Sequence, residues 1–269
     1  MSRLIQDLVD LSAYAAKHPG FVQGGGGNCS VKASNEMLVK ASGFFLEDVT
    51  LENGYVSLEI GTMKPLINPN LRPSLETAIH FLLGKYIIHT HPIVVGGIVC
   101  AKEGKKVFYE LFNGKNYFWI DYANPGKNLF KKIHDFVKAN DIDLNKPLVL
   151  FLKNHGIFVS APNKDGCTGL HSEVINTLSG YFKYSPDSYK SISLEGFLTP
   201  DHVVYSALDK NKLSNKQKIA ISELNVYSNK VAELINLKKW EIDYLSVSDV
   251  NFIRNMEEEQ YRQKLLEAE

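Results

Sequence analysis

The chain has 269 residues, a length that allows one large domain or two small ones. Apolar residues make up 44% of it and charged residues 22%, which excludes a chain that is disordered over most of its length. Thirty Lys and Arg residues balance thirty Asp and Glu residues, and this neutral balance argues against a protein built mainly to hold nucleic acid.

Neither a membrane anchor nor a disulfide framework is expected. No apolar run approaches the roughly 18–20 residues of a membrane span, and Asp7 and Asp10 interrupt the apolar residues near the N-terminus. The three cysteines, Cys29, Cys100 and Cys167, are odd in number and widely spaced, which is typical of buried thiols in a reducing compartment. We therefore expect a cytoplasmic protein with no membrane partner.

Helix and strand patterns alternate up to about residue 185, which favours a mixed α/β sandwich. Helical spacing and capping residues predict helices at Leu4–Ala16, from Ser74 to Leu83, at Ile93–Ala101, at Lys127–Ala139 and from Lys164 to Tyr184. β-Branched and aromatic runs predict strands at Ser30–Lys32, Met37–Lys40, Tyr86–His91, Val107–Tyr109, Tyr117–Tyr122, Leu148–Leu152 and Ile157–Val159.

The character of the chain changes beyond about residue 195. Thr199–His202 has the composition of a turn or a helix start, and from Ser214 onward Lys, Glu, Asn and Leu recur at helical spacing. The tail Met256–Glu269 is expected to be a solvated or partner-contacting helix. We therefore expect a domain over residues 1–205 and a helical C-terminal extension over residues 206–269 that packs on the same domain.

His89-Thr90-His91 is the strongest local indication of chemistry. Side chains two apart on a strand point to the same face, with Cα atoms roughly 6.5–7 Å apart, so two imidazoles can converge on one ion. A catalytic zinc site needs a third protein ligand, and His155 is the natural candidate because an apolar strand breaks at Asn154-His155-Gly156. The spacing alone is also compatible with ordinary structural histidines.

Glu76 is the second candidate. It lies near a predicted helix N-terminus in an otherwise apolar segment. A carboxylate there can act as a general base beside a metal, or it can simply favour the helix dipole, and the spacing alone favours the second interpretation. His80 lies one helical turn later on the same side, and we expect it to be structural.

Small polar loops supply candidates for anion binding. Hydroxyl, amide or backbone N–H donors come from Asn28, Ser42, Gly43 and Ser74. Each position is individually an ordinary turn, and the glycine run before Asn28 is followed by a strand pattern, not by the helix that a dinucleotide fingerprint requires. Tyr122 precedes a Pro-Gly turn, where a packing role is the simplest interpretation.

The order of these motifs resembles that of the class II aldolase/adducin family. The shared motifs are Asn28 in GGNCS, Ser42-Gly43 in KASG, Ser74-x-Glu76, His89-x-His91, Tyr122-x-x-x-Gly126 and Asn154-His155-Gly156. The segments VQGGGGNCSVK, RPSLETAIHFLL and FLTPDHVVY are most similar to the domains of rhamnulose-phosphate-aldolase-like proteins. The resemblance covers about residues 5 to 205.

The resemblance implies a fold, a metal and residue roles. The implied fold has three layers, α/β/α, with a mostly antiparallel central sheet, and it is usually assembled as a homotetramer with sites at subunit interfaces. Glu76 matches the acid/base residue, and Tyr122 matches a tyrosine that reaches a neighbouring subunit's site. The zinc ligands are matched by His89, His91 and His155, and the phosphate-loop positions by Asn28, Ser42, Gly43 and Ser74. Three histidines also suit other divalent ions.

The resemblance further implies zinc-dependent cleavage of a ketose 1-phosphate, or a similar sugar phosphate, to dihydroxyacetone phosphate and a small aldehyde. The epimerase branch carries Asp at the position of Glu76, so aldol cleavage is favoured over a metal-dependent sugar-phosphate 4-epimerase. A non-enzymatic adducin-like assembly module is the other alternative, although adducin heads lack the metal ligands that this chain retains. Leu75 replaces the second of two adjacent serines in the aldolases. Phosphate binding is therefore weaker, or the anionic group of the substrate differs.

Overall fold

An eight-stranded sheet forms the middle of the fold in the computed structural model, which describes residues 2–18, 20–185, 192–208 and 211–257. The strands are β1 (Asn28–Ala33), β2 (Glu36–Lys40), β3 (Tyr55–Glu59), β4 (Pro65–Ile67), β5 (Tyr86–Thr90), β6 (Tyr117–Ile120), β7 (Leu148–Leu152) and β8 (Gly156–Ala161). Their order is β4-β3-β2-β1-β5-β8-β7-β6, and every neighbouring pair is antiparallel except β6 and β7. The prediction of a mostly antiparallel central sheet is confirmed.

Helices cover both faces of this sheet. They are α1 (Ser2–Ala16), α2 (Thr77–Leu82), α3 (Ile93–Val99), α4 (Gly104–Phe112), α5 (Lys127–Ala139), α6 (Lys164–Phe182), α7 (Pro200–Ser206), α8 (Asn215–Leu237) and α9 (Val247–Arg254). Successive side chains of β5 point to opposite faces. Ile88 packs in the cluster formed with α1, α3 and α6, whereas Ile87 packs with α2 and α5. The predicted three-layer α/β/α architecture is therefore confirmed.

The same alternation separates the residues of the His-Thr-His motif. His89 follows Ile87 by two residues and so faces α2 and α5. Thr90 faces the opposite layer, where its Oγ1 lies 2.8 Å from Nε2 of the buried His171 on α6. The motif thus directs its histidines to one layer and anchors its threonine in the other.

Two predicted elements differ from the structure. Val107–Tyr109, predicted as a strand, lies inside α4 because Phe108 and Phe112 recur at helical spacing and are buried while Tyr109 is exposed. The helix predicted from Ser74 begins only at Thr77, whose backbone N–H donates to the Ser74 carbonyl at 3.0 Å in the preceding turn. Neither β3 nor β4 was predicted from the sequence.

The described helices of the C-terminal extension pack on the same core. Tyr227 and Val231 of α8 join the apolar cluster that contains α3. The first half of α8 packs through Leu224 with Val203 of α7 and Ile253 of α9. The division of the chain at residue 205 stays a prediction.

Three further observations concern membrane-spanning helices, the cysteines and the tail. None of the helices in the described ranges is both long and apolar enough to cross a membrane. The three cysteines are free thiols, and all three are buried, as predicted. The predicted tail helix, Met256–Glu269, lies outside the described residues beyond Glu257.

Candidate metal centre

Three histidines meet at one end of β5. His89 lies on β5, His91 follows its last residue, and His155 lies in the turn between β7 and β8. β8 pairs with β5 so that Phe158 is opposite His89, and this register brings the turn of β8 to the end of the sheet that carries His91. One ligand nitrogen from each histidine lies within 4.8 Å of the others, and all three residues are buried. The structure thus brings together the predicted ligands, although metal binding itself stays a prediction.

Two of the histidines have their Nε2 atoms facing each other. His89 Nδ1 lies 2.9 Å from the Ile157 carbonyl oxygen and donates to it, so a neutral His89 ring has its lone pair on Nε2. His91 Nδ1 lies 3.0 Å from Asp201 Oδ2, which is an ion-pair distance. The two Nε2 atoms are 3.0 Å apart, and a proton or a metal cation shared between them would stabilise this close approach.

Glu76 is the acidic residue beside these rings. It is the N-cap residue of α2, with Oε2 3.0 Å from His89 Nε2 and Oε1 3.4 Å from His155 Nε2. Burial acts to raise the pKa of Glu76, but attraction to the neighbouring imidazoles in their protonated forms, with a hydrogen bond from His89, outweighs burial and holds the pKa well below its ordinary value. Burial lowers the pKa of His155 to about 3, so its ring stays in the neutral form that binds metal.

These residues fit a divalent metal ion. Oε1 of Glu76 is buried and accepts no hydrogen bond from the described part of the chain. Together with the facing Nε2 atoms of His89 and His91, the Glu76 carboxylate forms a compact group of atoms that can bind a metal ion. Imidazole nitrogens and carboxylate oxygens are ligands for Zn²⁺ and for several other divalent ions, so the donor set does not select one ion.

A chain of hydrogen bonds through Asn28 and His80 holds the Glu76 carboxylate in position. Asn28 Nδ2 donates to Glu76 Oε2 at 3.1 Å and to Ser74 Oγ at 3.0 Å. Asn28 Oδ1 accepts from His80 Nε2, and the Ser30 hydroxyl donates to His80 Nδ1 at 2.7 Å. Burial lowers the pKa of His80 to about 3, so the neutral ring can donate on one side and accept on the other. His80 therefore orients the amide that contacts Glu76.

The predicted phosphate-loop positions line one polar cavity with two of the three histidines. The cavity residues that were singled out from the sequence are Asn28, Ser42, Gly43, Ser74, Leu75, Glu76, His91 and His155. Lys40 was not predicted to belong to the site; it is buried, and its Nζ donates to the carbonyl oxygens of Phe44 at 2.6 Å and Gly25 at 3.3 Å. Asp201 also lines the cavity and was not predicted. In the sequence, Lys40 could have been noticed as the lysine of the KASG motif, and Asp201 as the acidic residue that follows Thr199-Pro200.

Tyr122 does not line this cavity. Its hydroxyl donates to Asn124 Oδ1 at 3.0 Å, and its ring packs against the apolar cluster of α7, α8 and α9. Burial, with the Asp249 carboxylate nearby, raises the pKa of Tyr122. The predicted role of Tyr122 concerns the site of a neighbouring subunit, so it stays a prediction.

Comparison with solved structures supports the fold. The N-terminal class II aldolase domain of a conserved protein from Thermoplasma acidophilum superposes with a TM-score of 0.55 at 20% identity, over 66% of this chain and 92% of that one. An L-fuculose 1-phosphate aldolase superposes with a TM-score of 0.52 at 20% identity, over 67% of this chain and 85% of that one. At these identities the similarity establishes the fold and not the activity.

Comparison of sequences shows the family. The chain is 30% identical over 173 residues to a protein of Bacillus subtilis (strain 168) named uncharacterized oxidoreductase YuxG. The match covers 53% of this chain and only 24% of that protein, so the matched segment spans about a quarter of the length of that relative. Residues 6–178 match the family described as "Class II Aldolase and Adducin N-terminal domain". The chain therefore belongs to the class II aldolase and adducin N-terminal domain family.

Proposed function

We propose that the protein is a zinc-dependent aldolase that cleaves a ketose 1-phosphate, or a similar sugar phosphate, to dihydroxyacetone phosphate and a small aldehyde. The observation that carries this proposal is the convergence of His89, His91 and His155 on Glu76 beside a polar cavity. The fold that the chain shares with an L-fuculose 1-phosphate aldolase supports it as well.

The metal would be held by the three imidazoles. When bound there, a zinc ion supplies a Lewis acid for the carbonyl and adjacent hydroxyl oxygens of the substrate. Asn28 donates to Glu76 and thereby holds its carboxylate against the cluster. The cavity contains few apolar surfaces apart from Leu75 and two prolines, which suits a polar sugar.

Glu76 is the proposed proton carrier. In the cleavage direction the C3–C4 bond breaks, its electron pair stays on C3, and the C4 hydroxyl becomes an aldehyde after losing its proton. Glu76 would deliver a proton to C3, and Tyr122 of a neighbouring copy would relay the proton that leaves the C4 oxygen. This division of roles requires a homo-oligomer, and we propose the tetramer that the family resemblance implies.

The phosphate would bind at the loops on the other side of the cavity. Ser42, Gly43 and Ser74 offer hydroxyl and backbone N–H donors there, and Gly43 has the positive φ of +85° that opens its loop. Lys40 adds a positive charge at the same wall. Leu75 lies next to Ser74 and contributes no donor, so the phosphate would have fewer hydrogen bonds than in aldolases with two serines.

Metal content is the first test. Elemental analysis of the wild type should find about one zinc per chain. The double variant His89→Ala/His91→Ala should lose it, whereas His134→Ala, which changes an exposed histidine on α5, should retain it. No metal in the wild type after addition of zinc would refute the aldolase and the epimerase together and leave an adducin-like assembly module.

Product analysis is the second test. Loaded wild type is incubated with a panel of ketose 1-phosphates, and the products are separated. Free dihydroxyacetone phosphate, absent with Glu76→Gln, is the result expected of an aldolase. A substrate inverted at C4 without release of triose phosphate would indicate the epimerase instead.

A further inference from the structure

Asp201 makes a contact with the histidine cluster from outside the matched family domain. The family match ends at residue 178, and Asp201 lies in the first turn of α7. Its side chain is buried, and Oδ2 lies 3.0 Å from His91 Nδ1. We propose that Asp201 is a positioning residue that holds His91 for the metal, and the proposal rests on the metal centre of the proposed function.

Asp201 contacts Nδ1 of His91, the ring nitrogen that points away from the histidine cluster. Nε2 of the same ring faces His89 Nε2 at 3.0 Å, so Nε2 is the atom directed into the cluster. Asp201 therefore acts through His91 and is not itself a fourth ligand. A carboxylate that accepts the Nδ1 proton fixes the tautomer and the ring orientation, and it makes Nε2 a more basic ligand. The Nδ1 atom of His89, by comparison, contacts the neutral Ile157 carbonyl and not a carboxylate.

Asn154, the residue next to the predicted ligand His155, holds the start of α7 against the histidine cluster. Asn154, which precedes His155, donates from Nδ2 to the Leu198 carbonyl at 3.0 Å and to the Asp243 carbonyl at 2.6 Å. Thr199 then caps α7 by accepting from the His202 backbone N–H. The turn that carries His155 thus also fixes the segment that delivers Asp201.

The glycine run at the cavity is held by the same part of the chain. The backbone N–H of Gly24 donates to Glu223 of α8 at 2.6 Å, and that of Gly25 donates to the Tyr205 hydroxyl of α7 at 3.2 Å. Gly26 lies so close to the pair that an added Cβ would be 2.5 Å from Asp201 Oδ2 and 3.2 Å from His91 Nδ1. The C-terminal extension and the glycine run therefore form one wall around the Asp201–His91 contact.

Zinc affinity tests the inference without relying on turnover. The apparent Kd for zinc is measured by competition with a chromogenic chelator on metal-free wild type, Asp201→Ala and Asp201→Asn. We expect Kd to rise roughly 10–100-fold in Asp201→Ala. The rise should be smaller in Asp201→Asn, because the amide oxygen still accepts the Nδ1 proton.

Asp165→Asn is the matched control. Asp165 is the second residue of α6 as Asp201 is of α7, but it is exposed and follows β8 at the end away from His155. The Asp165→Asn substitution should change the Kd for zinc by no more than about twofold. The ¹⁵N signals of His91 give a second readout in metal-free protein: the Nδ1–H tautomer should predominate in the wild type and in Asp201→Asn, but not in Asp201→Ala.

The outcomes separate the two proposals. Equal zinc affinity of wild type and Asp201→Ala, with an unchanged His91 tautomer, would overturn the role of Asp201 and leave the proposed function intact. A wild type that binds no zinc would overturn both. If Asp201→Ala does not fold, Asp201→Asn decides the question, because it preserves the side-chain volume and removes the charge. A rise in its Kd for zinc then supports the role of Asp201, and a Kd equal to that of the wild type overturns it.

Discussion

Replacement of His80 by phenylalanine tests whether the hydrogen bonds behind Glu76 contribute to stability. The fully buried His80 ring meets Phe158 edge to face at a centroid distance of 5.4 Å, a contact that phenylalanine can keep. Phenylalanine can neither accept from Ser30 nor donate to Asn28, and both partners are buried. Each unpaired group costs about 1–3 kcal/mol. Because the apolar ring regains part of this cost, we expect the free energy of unfolding to fall by about 2–5 kcal/mol.

The same variant should change the pH dependence of stability. The pKa of His80 is about 3 in the folded protein and 6.5 as an unperturbed group, so between these values only the unfolded chain binds the proton. The stabilising contribution is therefore fully present above pH 6.5 and is lost as the pH falls towards 3. Between about pH 7 and about pH 5 the wild type should lose about 2 kcal/mol through His80, and the phenylalanine variant should not.

Urea unfolding of the metal-free proteins at these two pH values measures both effects. His134→Phe is the control, because His134 is exposed and its replacement should change the free energy of unfolding by less than about 0.5 kcal/mol. A loss below about 1 kcal/mol in His80→Phe, with the acid dependence of the wild type, would show that Asn28 and Ser30 do not depend on His80.

Four further substitutions have expected outcomes. An added Cβ at Gly96 would lie 2.6 Å from the tyrosine hydroxyl of α8, so Gly96→Ala should lower the free energy of unfolding by about 1–3 kcal/mol in urea titrations. Gly169→Ala, which meets nothing within 4 Å, should raise it by about 0.5–1 kcal/mol; equal effects would contradict the packing of α8 on α3. Leu75→Ser should lower KM for a phosphate-bearing ketose without a matching change in kcat, and an unchanged KM would mean that no phosphate oxygen lies there. Gly26→Ala should displace Asp201 and weaken zinc binding as Asp201→Ala does, whereas wild-type affinity would contradict the close approach.

The parts of the fold and site that follow local patterns could be predicted from the sequence. The alternation of β5 sends His89 and His91 to one face, and a strand that breaks at His155 indicates a turn in which a side chain can enter a site. The resemblance to a known family then supplied the layers and the mostly antiparallel sheet. Glu76 was found as a helix-start residue, although the helix itself begins only at Thr77.

The parts that depend on contacts between distant segments could not be predicted. Val107–Tyr109 is too short for its period to distinguish a strand from a helix, and its burial in α4 follows from packing with Phe112. Lys40 is the last residue of β2, and nothing in the local sequence indicates that it is buried. The structure gives the reason, because its ammonium donates to the Phe44 and Gly25 carbonyls. Asp201 is far from His91 along the chain, and the hydrogen bond from Asn154 to the Leu198 carbonyl, which holds the segment before α7 against the turn of His155, has no local sequence pattern.

The two buried carboxylates together explain why this cluster suits a divalent cation. Histidines that bind a metal are neutral and contribute no net charge, whereas the carboxylates of Glu76 and Asp201, when ionised, contribute two negative charges within 3.0 Å of the rings. Buried charge is costly unless it is compensated, and a divalent ion bound by the histidines brings the sum of these charges to zero. A phosphate entering the same cavity then meets Lys40 and backbone N–H donors without a remaining excess of negative charge at the histidines. Because one of the two carboxylates comes from α7, the charge balance of the site includes a residue that lies beyond the matched family domain.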